Sequence, residues 1–116
     1  MDEERFRELV GEAIDSIPSE FGKKLNNVAV VVEDSPTPQQ LRKLRLPSWA
    51  LLFGLYEGIP QTKRGSYFGV LPDKITIFKN SIERVARSEE EIRAQVRATV
   101  IHEIGHHFGL SDKDLR

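Results

Sequence analysis

The chain has 116 residues, a length typical of one domain, and we predict a single domain over residues 1–116. Apolar residues make up 39%, charged residues 30%, and the formal net charge is −1. This composition is typical of a soluble globular protein and gives no electrostatic reason to expect binding to nucleic acid or to an anionic membrane. The lack of cysteine excludes disulfides, thiolate metal ligands and a cysteine nucleophile.

The N-terminal segment MDEERFRELVGEAIDSI is acidic and amphipathic, unlike a signal peptide. No stretch approaches the roughly 18 apolar residues of a membrane span, so we expect a cytoplasmic protein. Residues 2–17 are predicted as a helix that Pro18 ends, because apolar residues recur at three- and four-residue spacing. These residues are Phe6, Leu9, Val10, Ala13, Ile14 and Ile17.

Three segments have the character of strands. Asn26–Asp34 is rich in valine through its middle, which predicts a strand buried on both faces. Asp73–Asn80 alternates and predicts a second strand. Ser48–Gly58 is apolar and predicts a third, with Gly54 as a bulge and Trp49 as a packing residue. Between Asn26–Asp34 and Ser48–Gly58, TPQQLRKLRL has the signature of a short helix capped by its threonine.

The segment Gly58–Asp73 is too rich in glycine and proline, and too long, for a simple connector, and such loops are often functional. After it, Ser88 and Glu91 form a capping-box pattern that predicts the start of a long helix. No proline and no glycine before Gly105 interrupt the run to about Phe108, which predicts about 20 helical residues. The apolar side of this helix consists of Ile92, Val96, Val100, Ile104 and Phe108.

All three histidines of the chain lie near the end of this predicted helix, in H102-E103-I104-G105-H106-H107. His102 and His106 are four residues apart and share a helix face, so both imidazoles can bind one metal ion. Glu103 lies about 100° around the helix, beside the ion, where a general base must be to take a proton from metal-bound water. The H-E-x-x-H spacing therefore predicts a catalytic zinc site.

A catalytic zinc usually has three protein ligands and one open position. Gly109 predicts a sharp end to the helix, and the turn would bring Asp112 back within reach of the ion. We therefore predict Zn²⁺ bound by His102, His106 and Asp112. His107 points away from this face and is predicted as a supporting or packing residue.

Two alternatives follow from the same residues. Two histidines and a carboxylate also form the iron site of non-haem oxygenases, although the adjacent Glu103 favours zinc hydrolysis. The segment is otherwise a surface helix rich in His and Glu that ends at Gly109, with Asp112 as a solvated charge. That interpretation explains each residue singly but not their joint spacing.

The pattern H-E-x-x-H-x-x-G-x-x-D resembles metzincin-like zincins whose third ligand is aspartate. With LYEGIP, LPDKITIF and HEIGHHFGLSD, residues 28–116 resemble the small bacterial zincin-like metallopeptidase family. The resemblance implies an α+β minimal zincin-like fold, in which a small mixed sheet packs against helices and the active-site helix is C-terminal. It also implies peptide hydrolysis with Glu103 as general base and with zinc on His102, His106 and Asp112.

Substrate in zincins commonly pairs with an edge strand, for which DKITIF and SYFGV are the two candidates here. Tyr67 is a candidate oxyanion donor, with packing as the alternative role. The chain departs from metzincins because its single methionine is Met1, so the methionine turn is absent. It also lacks the C-terminal subdomain that forms the far wall of a peptidase cleft.

We therefore expect a peptide or protein substrate, with a homodimer or a partner protein as the means of completing the cleft. The alternative from another functional class is a catalytically weak or inactive zincin-like binding or regulatory protein.

Overall fold

A computed structural model describes residues 1–58 and 72–107 of the chain. The elements in chain order are helix α1 (Glu3–Asp15), helix α2 (Ser19–Gly22), a 3-10 turn (Lys23–Leu25), strand β1 (Val28–Glu33), helix α3 (Pro38–Lys43), strand β2 (Gly54–Glu57), strand β3 (Asp73–Phe78), helix α4 (Lys79–Val85) and helix α5 (Glu89–His107). This is an α+β architecture with a small mixed sheet, as predicted, and it is compatible with a minimal zincin fold.

The three described strands form a sheet in the order β1-β3-β2. β1 runs parallel to β3, and β2 runs antiparallel to it. β3 is therefore paired along both edges, and the prediction that DKITIF is an edge strand open to substrate is wrong. Among the described strands, the edges of the sheet are β1 and β2.

β1 is less buried than predicted. Of its six residues only Val32 is fully buried, and the other valines are half-buried. The burial that was predicted for β1 is found in β3 instead, where Ile75 to Phe78 are all buried. The difference arises because β1 lies at the edge of the described sheet, a position that its own sequence does not reveal.

The hydrophobic core lies between the sheet and the two long helices. α1 packs against α5, and the described residues of both predicted apolar stripes face inward. Fully buried core residues include Phe6, Leu9, Ile75, Ile77, Val96, Val100 and Ile104. None of the helices within residues 1–58 and 72–107 is both long and apolar enough to cross a bilayer.

Side-chain caps begin helices α3 and α5, as the sequence predicted. Thr37 accepts a hydrogen bond from the Gln40 N–H at 3.0 Å, and the Gln40 side chain accepts from the Thr37 N–H at 2.9 Å. Before α5, Ser88 Oγ accepts from the Glu91 N–H at 3.1 Å. The first turn of α5 also binds α1, since the Arg5 guanidinium donates to both carboxylate oxygens of Glu89 at 2.9 and 2.7 Å.

The predicted strand Ser48–Gly58 is much shorter in the structure, because only Gly54–Glu57 pairs with β3. The Ala50 N–H donates to the Pro47 carbonyl at 3.0 Å, so the chain turns here instead of extending. The side chain of Trp49 is 80% exposed, and its prediction as a packing residue is wrong.

Gly54 is not a bulge, since the register of β2 against β3 continues through it without an extra residue. A Cβ atom at this position would lie 2.5 Å from Thr99 Cγ2 and 3.1 Å from the Thr76 carbonyl oxygen. Glycine is therefore required because β2 and α5 approach each other closely here. This contact brings the edge strand next to the histidine-bearing half of α5.

Candidate metal and catalytic site

The C-terminal half of α5 places His102 and His106 side by side. Their ring centroids are 5.3 Å apart and the ring planes differ by 24°. Both residues are exposed, and the side chain of His106 is 66% accessible. The four-residue spacing therefore brings the two imidazoles together, as the motif predicted, on a face that a metal ion and water can reach.

The rotation of α5 about its axis is set by the opposite face. Val100 and Ile104 are completely buried against the core, and Gly105 is buried next to them. Val100 and Ile104 lie on the face of the helix opposite to the two histidines. Burial of the apolar face therefore leaves His102 and His106 facing outward. The placement of the imidazoles thus follows from core packing.

Glu103 lies between the buried core face of α5 and its exposed histidine face. Its side chain is 19% exposed. Its Oε1 accepts a hydrogen bond from the backbone N–H of Tyr56 in β2 at 3.0 Å. Its Oε2 lies 3.9 Å from His106 Nδ1. One carboxylate oxygen is therefore bound by the edge strand and the other faces the histidines.

Burial raises the pKa of the Glu103 carboxyl above its ordinary value. The Tyr56 N–H and the charges of His106 and His102 favour the ionised form and oppose this rise only in part. A carboxylate with a raised pKa is a stronger proton acceptor than an exposed one. The environment of Glu103 therefore suits a general base.

His107 does not share the face of the other two histidines. Its ring stacks on the ring of Tyr56, with centroids 3.9 Å apart and planes 17° from parallel. Its Nε2 lies 3.9 Å from Asp73 Oδ2. These contacts agree with the prediction that His107 is a supporting residue.

Tyr56 itself was not identified from the sequence as part of the site. It contacts Glu103 through its backbone and His107 through its ring. A sequence signal existed, because Tyr56 is two residues after Gly54 and strand alternation puts both on the face that meets α5.

Several predicted site residues lie outside the described part of the chain. These are Phe108, Gly109, Asp112, Tyr67 and the segment SYFGV. Within the described ranges, no group of three or more His, Cys, Asp or Glu side chains is arranged to hold a metal ion. The described residues provide two adjacent imidazoles with a carboxylate next to them, a donor set that fits zinc with one further ligand. Asp112 as that ligand stays a prediction.

An open groove of about 380 Å³ lies beside His102 and Glu103. The segment that enters β2 forms one wall, and α5 forms the other. The described lining residues beyond the two site residues are uncharged, namely Leu51, Leu52, Phe53, Gly54, Gln95, Ala98 and Thr99. The Gln95 amide donates to Thr99 Oγ1 at 3.2 Å, so part of the polar surface of the α5 wall is satisfied internally.

Comparisons with known proteins concern the family and the fold. The sequence profile of the zincin-like metallopeptidases matches residues 25–116. The solved structure of a conserved hypothetical protein from Thermus thermophilus is similar, with 27% sequence identity and a TM-score of 0.58 over 93% of this chain and 94% of that chain. A search of curated proteins found no significant match.

Proposed function

The chain belongs to the zincin-like metallopeptidase family, and from this premise we propose that it is a zinc-dependent peptidase that uses Glu103 as general base. The observation that carries the proposal is the position of this carboxylate. It is partly buried, bound through one oxygen to the edge strand, and next to two exposed imidazoles on the same helix. A helix that merely displayed charged residues would have no reason to bury one of them.

The proposed zinc ligands are His102, His106 and Asp112. Zinc, when bound, lowers the pKa of a coordinated water toward neutrality and so makes it a nucleophile at physiological pH. The chain's own contribution is to hold the two imidazoles on one exposed face and to keep the general base beside them.

Glu103 would move the proton. Its Oε1 is bound by the Tyr56 N–H, which leaves Oε2 to accept a proton from the attacking water. The same oxygen would then return the proton to the nitrogen of the leaving amine. Burial raises the pKa of this carboxyl, which makes it a better acceptor for the proton of the water.

The groove beside His102 and Glu103 is the proposed location of a substrate side chain next to the cleaved bond. Beyond these two site residues, its described lining offers no ion-pair partner. A charged side chain deeper in the groove would lose hydration there without compensation. The groove therefore favours substrates with an uncharged side chain at this position.

A second candidate function is a zincin-like binding protein that another chain completes. It is favoured by the exposure of large apolar residues on the segment leading into β2, since such surfaces often mark protein contacts. These residues are Leu44, Leu46, Trp49 and Leu51. The partner would be a second copy of this chain or a different protein.

Calorimetric titration of the chelator-stripped protein with zinc tests the proposed site. We expect one zinc per chain, with affinity strongly reduced in His106→Ala and in Asp112→Ala. Asp34→Ala, which changes an exposed acidic residue after β1, is the control and should bind as the parent does. Zinc binding that is indifferent to His106 and Asp112 would contradict the ligand assignment.

Hydrolysis of a mixed library of internally quenched peptides then tests the general base. Glu103→Gln should abolish turnover by the zinc-loaded protein while zinc stoichiometry is unchanged. Glu90→Gln, which changes an exposed glutamate in the first turn of the same helix, should retain full activity. A protein that binds zinc at the predicted ligands but hydrolyses no peptide, even at high protein concentration, would favour the second candidate.

A further inference from the structure

Tyr56 connects three parts of the site. Its backbone N–H donates to Glu103 Oε1 at 3.0 Å, its ring stacks on His107, and its hydroxyl donates to Asp73 Oδ2 at 2.7 Å. Two of these partners belong to the last described turns of α5, and the third is the first residue of β3. One residue of the edge strand therefore contacts the general base, the last described residue of the helix and the central strand.

The backbone contact fixes the carboxylate. β2 is an edge strand among those described, and the Tyr56 N–H points away from β3, because it donates to Glu103. A hydrogen bond to an ionised acceptor is shorter and stronger than one between neutral groups. Glu103 therefore has one oxygen at a defined position, and the rotation of its carboxylate is restricted.

The side-chain contacts of Tyr56 hold the last described turn of α5. A centroid distance of 3.9 Å and an angle of 17° describe close, nearly parallel stacking between the rings of Tyr56 and His107. The Tyr56 ring cannot move freely, because its hydroxyl is bound to Asp73, which pairs within the sheet at the first residue of β3. His106 is adjacent to His107, so the turn that carries this proposed zinc ligand is tied to the sheet through Tyr56.

We propose that Tyr56 is a positioning residue, which orients Glu103 through its backbone and the His106 turn through its ring. This inference rests on the proposed function for its catalytic part, but its effect on zinc binding is independent of turnover. It assigns to the edge strand a role in site geometry that neither the histidine spacing nor the family resemblance specifies.

The test uses the full chain and compares Tyr56→Leu with Tyr56→Phe. Tyr56→Leu removes both ring contacts, and we expect zinc affinity to fall about 10- to 100-fold, as is typical when a group supporting a ligand is lost. In the zinc-saturated protein, kcat should fall while KM stays within about twofold. Tyr56→Phe keeps the stacking surface and should restore most of the zinc affinity.

His107→Leu is a second test of the ring stacking, since it removes the partner on α5 without altering β2. Its zinc affinity should fall as that of Tyr56→Leu does. Leu55→Ala is the matched control, because it lies on the same strand and faces the opposite side of the sheet. It should bind zinc as the parent does, and the circular dichroism of every variant should show a folded protein at the titration temperature.

Unchanged zinc affinity in both Tyr56→Leu and His107→Leu would overturn the positioning role. Equal losses in Tyr56→Leu and Leu55→Ala would also overturn it, since that result would reflect general weakening of the sheet. Reduced zinc affinity in Tyr56→Leu in a protein that hydrolyses no peptide would support the positioning role and refute the proposed peptidase. Failure of the positioning role and failure of the proposed peptidase activity therefore give different results.

Discussion

The two faces of helix α5 differ in what holds them. The core face consists of Ile92, Val96, Val100 and Ile104, each at most 4% exposed. The site face consists of His102, Glu103 and His106, and its support includes the hydrogen bond from β2 to Glu103 and the stack of Tyr56 on the neighbouring His107. Core packing sets the position of the helix, whereas a few directional contacts orient the side chains on its site face.

This difference implies that stability and function can be altered separately on one helix. Removing buried apolar atoms leaves a cavity that the surroundings fill only partly. Removing an exposed imidazole removes little packing. Substitutions on and around the two faces can test this separation, beginning with the largest expected effect.

Ile104→Ala should lower the free energy of unfolding of the zinc-free protein by about 2–5 kcal/mol, because Ile104 is fully buried. His106→Ala, two residues along and exposed, should change it by no more than about 0.5 kcal/mol. Urea unfolding followed by circular dichroism measures both values. Similar losses in the two variants would mean that the faces are not energetically distinct.

Gly54→Ala should destabilise the protein by about 1–3 kcal/mol, because the new methyl group overlaps the Thr99 methyl group at the contact of β2 with α5. Adding Thr99→Ser removes that methyl group and keeps the hydroxyl that accepts from Gln95. The double variant should recover part of the loss, since the Thr76 carbonyl oxygen stays 3.1 Å from the new Cβ. Additive losses would show that the overlap with Thr99 is not the cause.

Ala98→Trp should fill the groove next to the site, because residue 98 is one helical turn before His102 on the same face. We expect kcat/KM for peptides with large uncharged side chains to fall by about tenfold or more, mainly through KM. Zinc affinity should be unchanged, as measured by the same calorimetric titration. Arg97→Trp, on an adjacent exposed position, is the control for a bulky residue outside the groove.

Glu103→Gln should make the zinc-free protein slightly more stable near pH 7. Burial raises the pKa of this carboxyl in the folded state, so ionisation at neutral pH destabilises the folded protein relative to the unfolded chain. The penalty appears as the pH rises through the ordinary glutamate pKa and is complete above the raised one.

Thermal unfolding of both proteins between about pH 3 and pH 8 measures this difference. The advantage of the Gln variant should vanish below about pH 4, where the carboxyl is largely neutral in both states. A variant that is less stable than the parent at neutral pH would show that the Tyr56 N–H contributes more to the charged form than burial removes.

Burial in the sheet and in the segment before β2 differs from what the sequence predicted. DKITIF was a candidate edge strand, yet β3 is central, and the valine-rich β1 is an edge among the described strands. Trp49 was expected to pack and is exposed. In each case the composition of the segment was interpreted correctly as apolar, but burial depends on which neighbours the fold supplies.

The sequence alone determined the two long helices, the side-chain caps of α3 and α5, the inward apolar stripes within the described residues and the pairing of His102 with His106 on one exposed face. These features depend on residues three and four positions apart, so the local repeat of the helix is enough to specify them. Only the tertiary structure decided the strand order, the close approach at Gly54 and the bond from the Tyr56 N–H to Glu103. Those contacts join residues far apart in the chain, and the local sequence pattern does not specify which residues will meet.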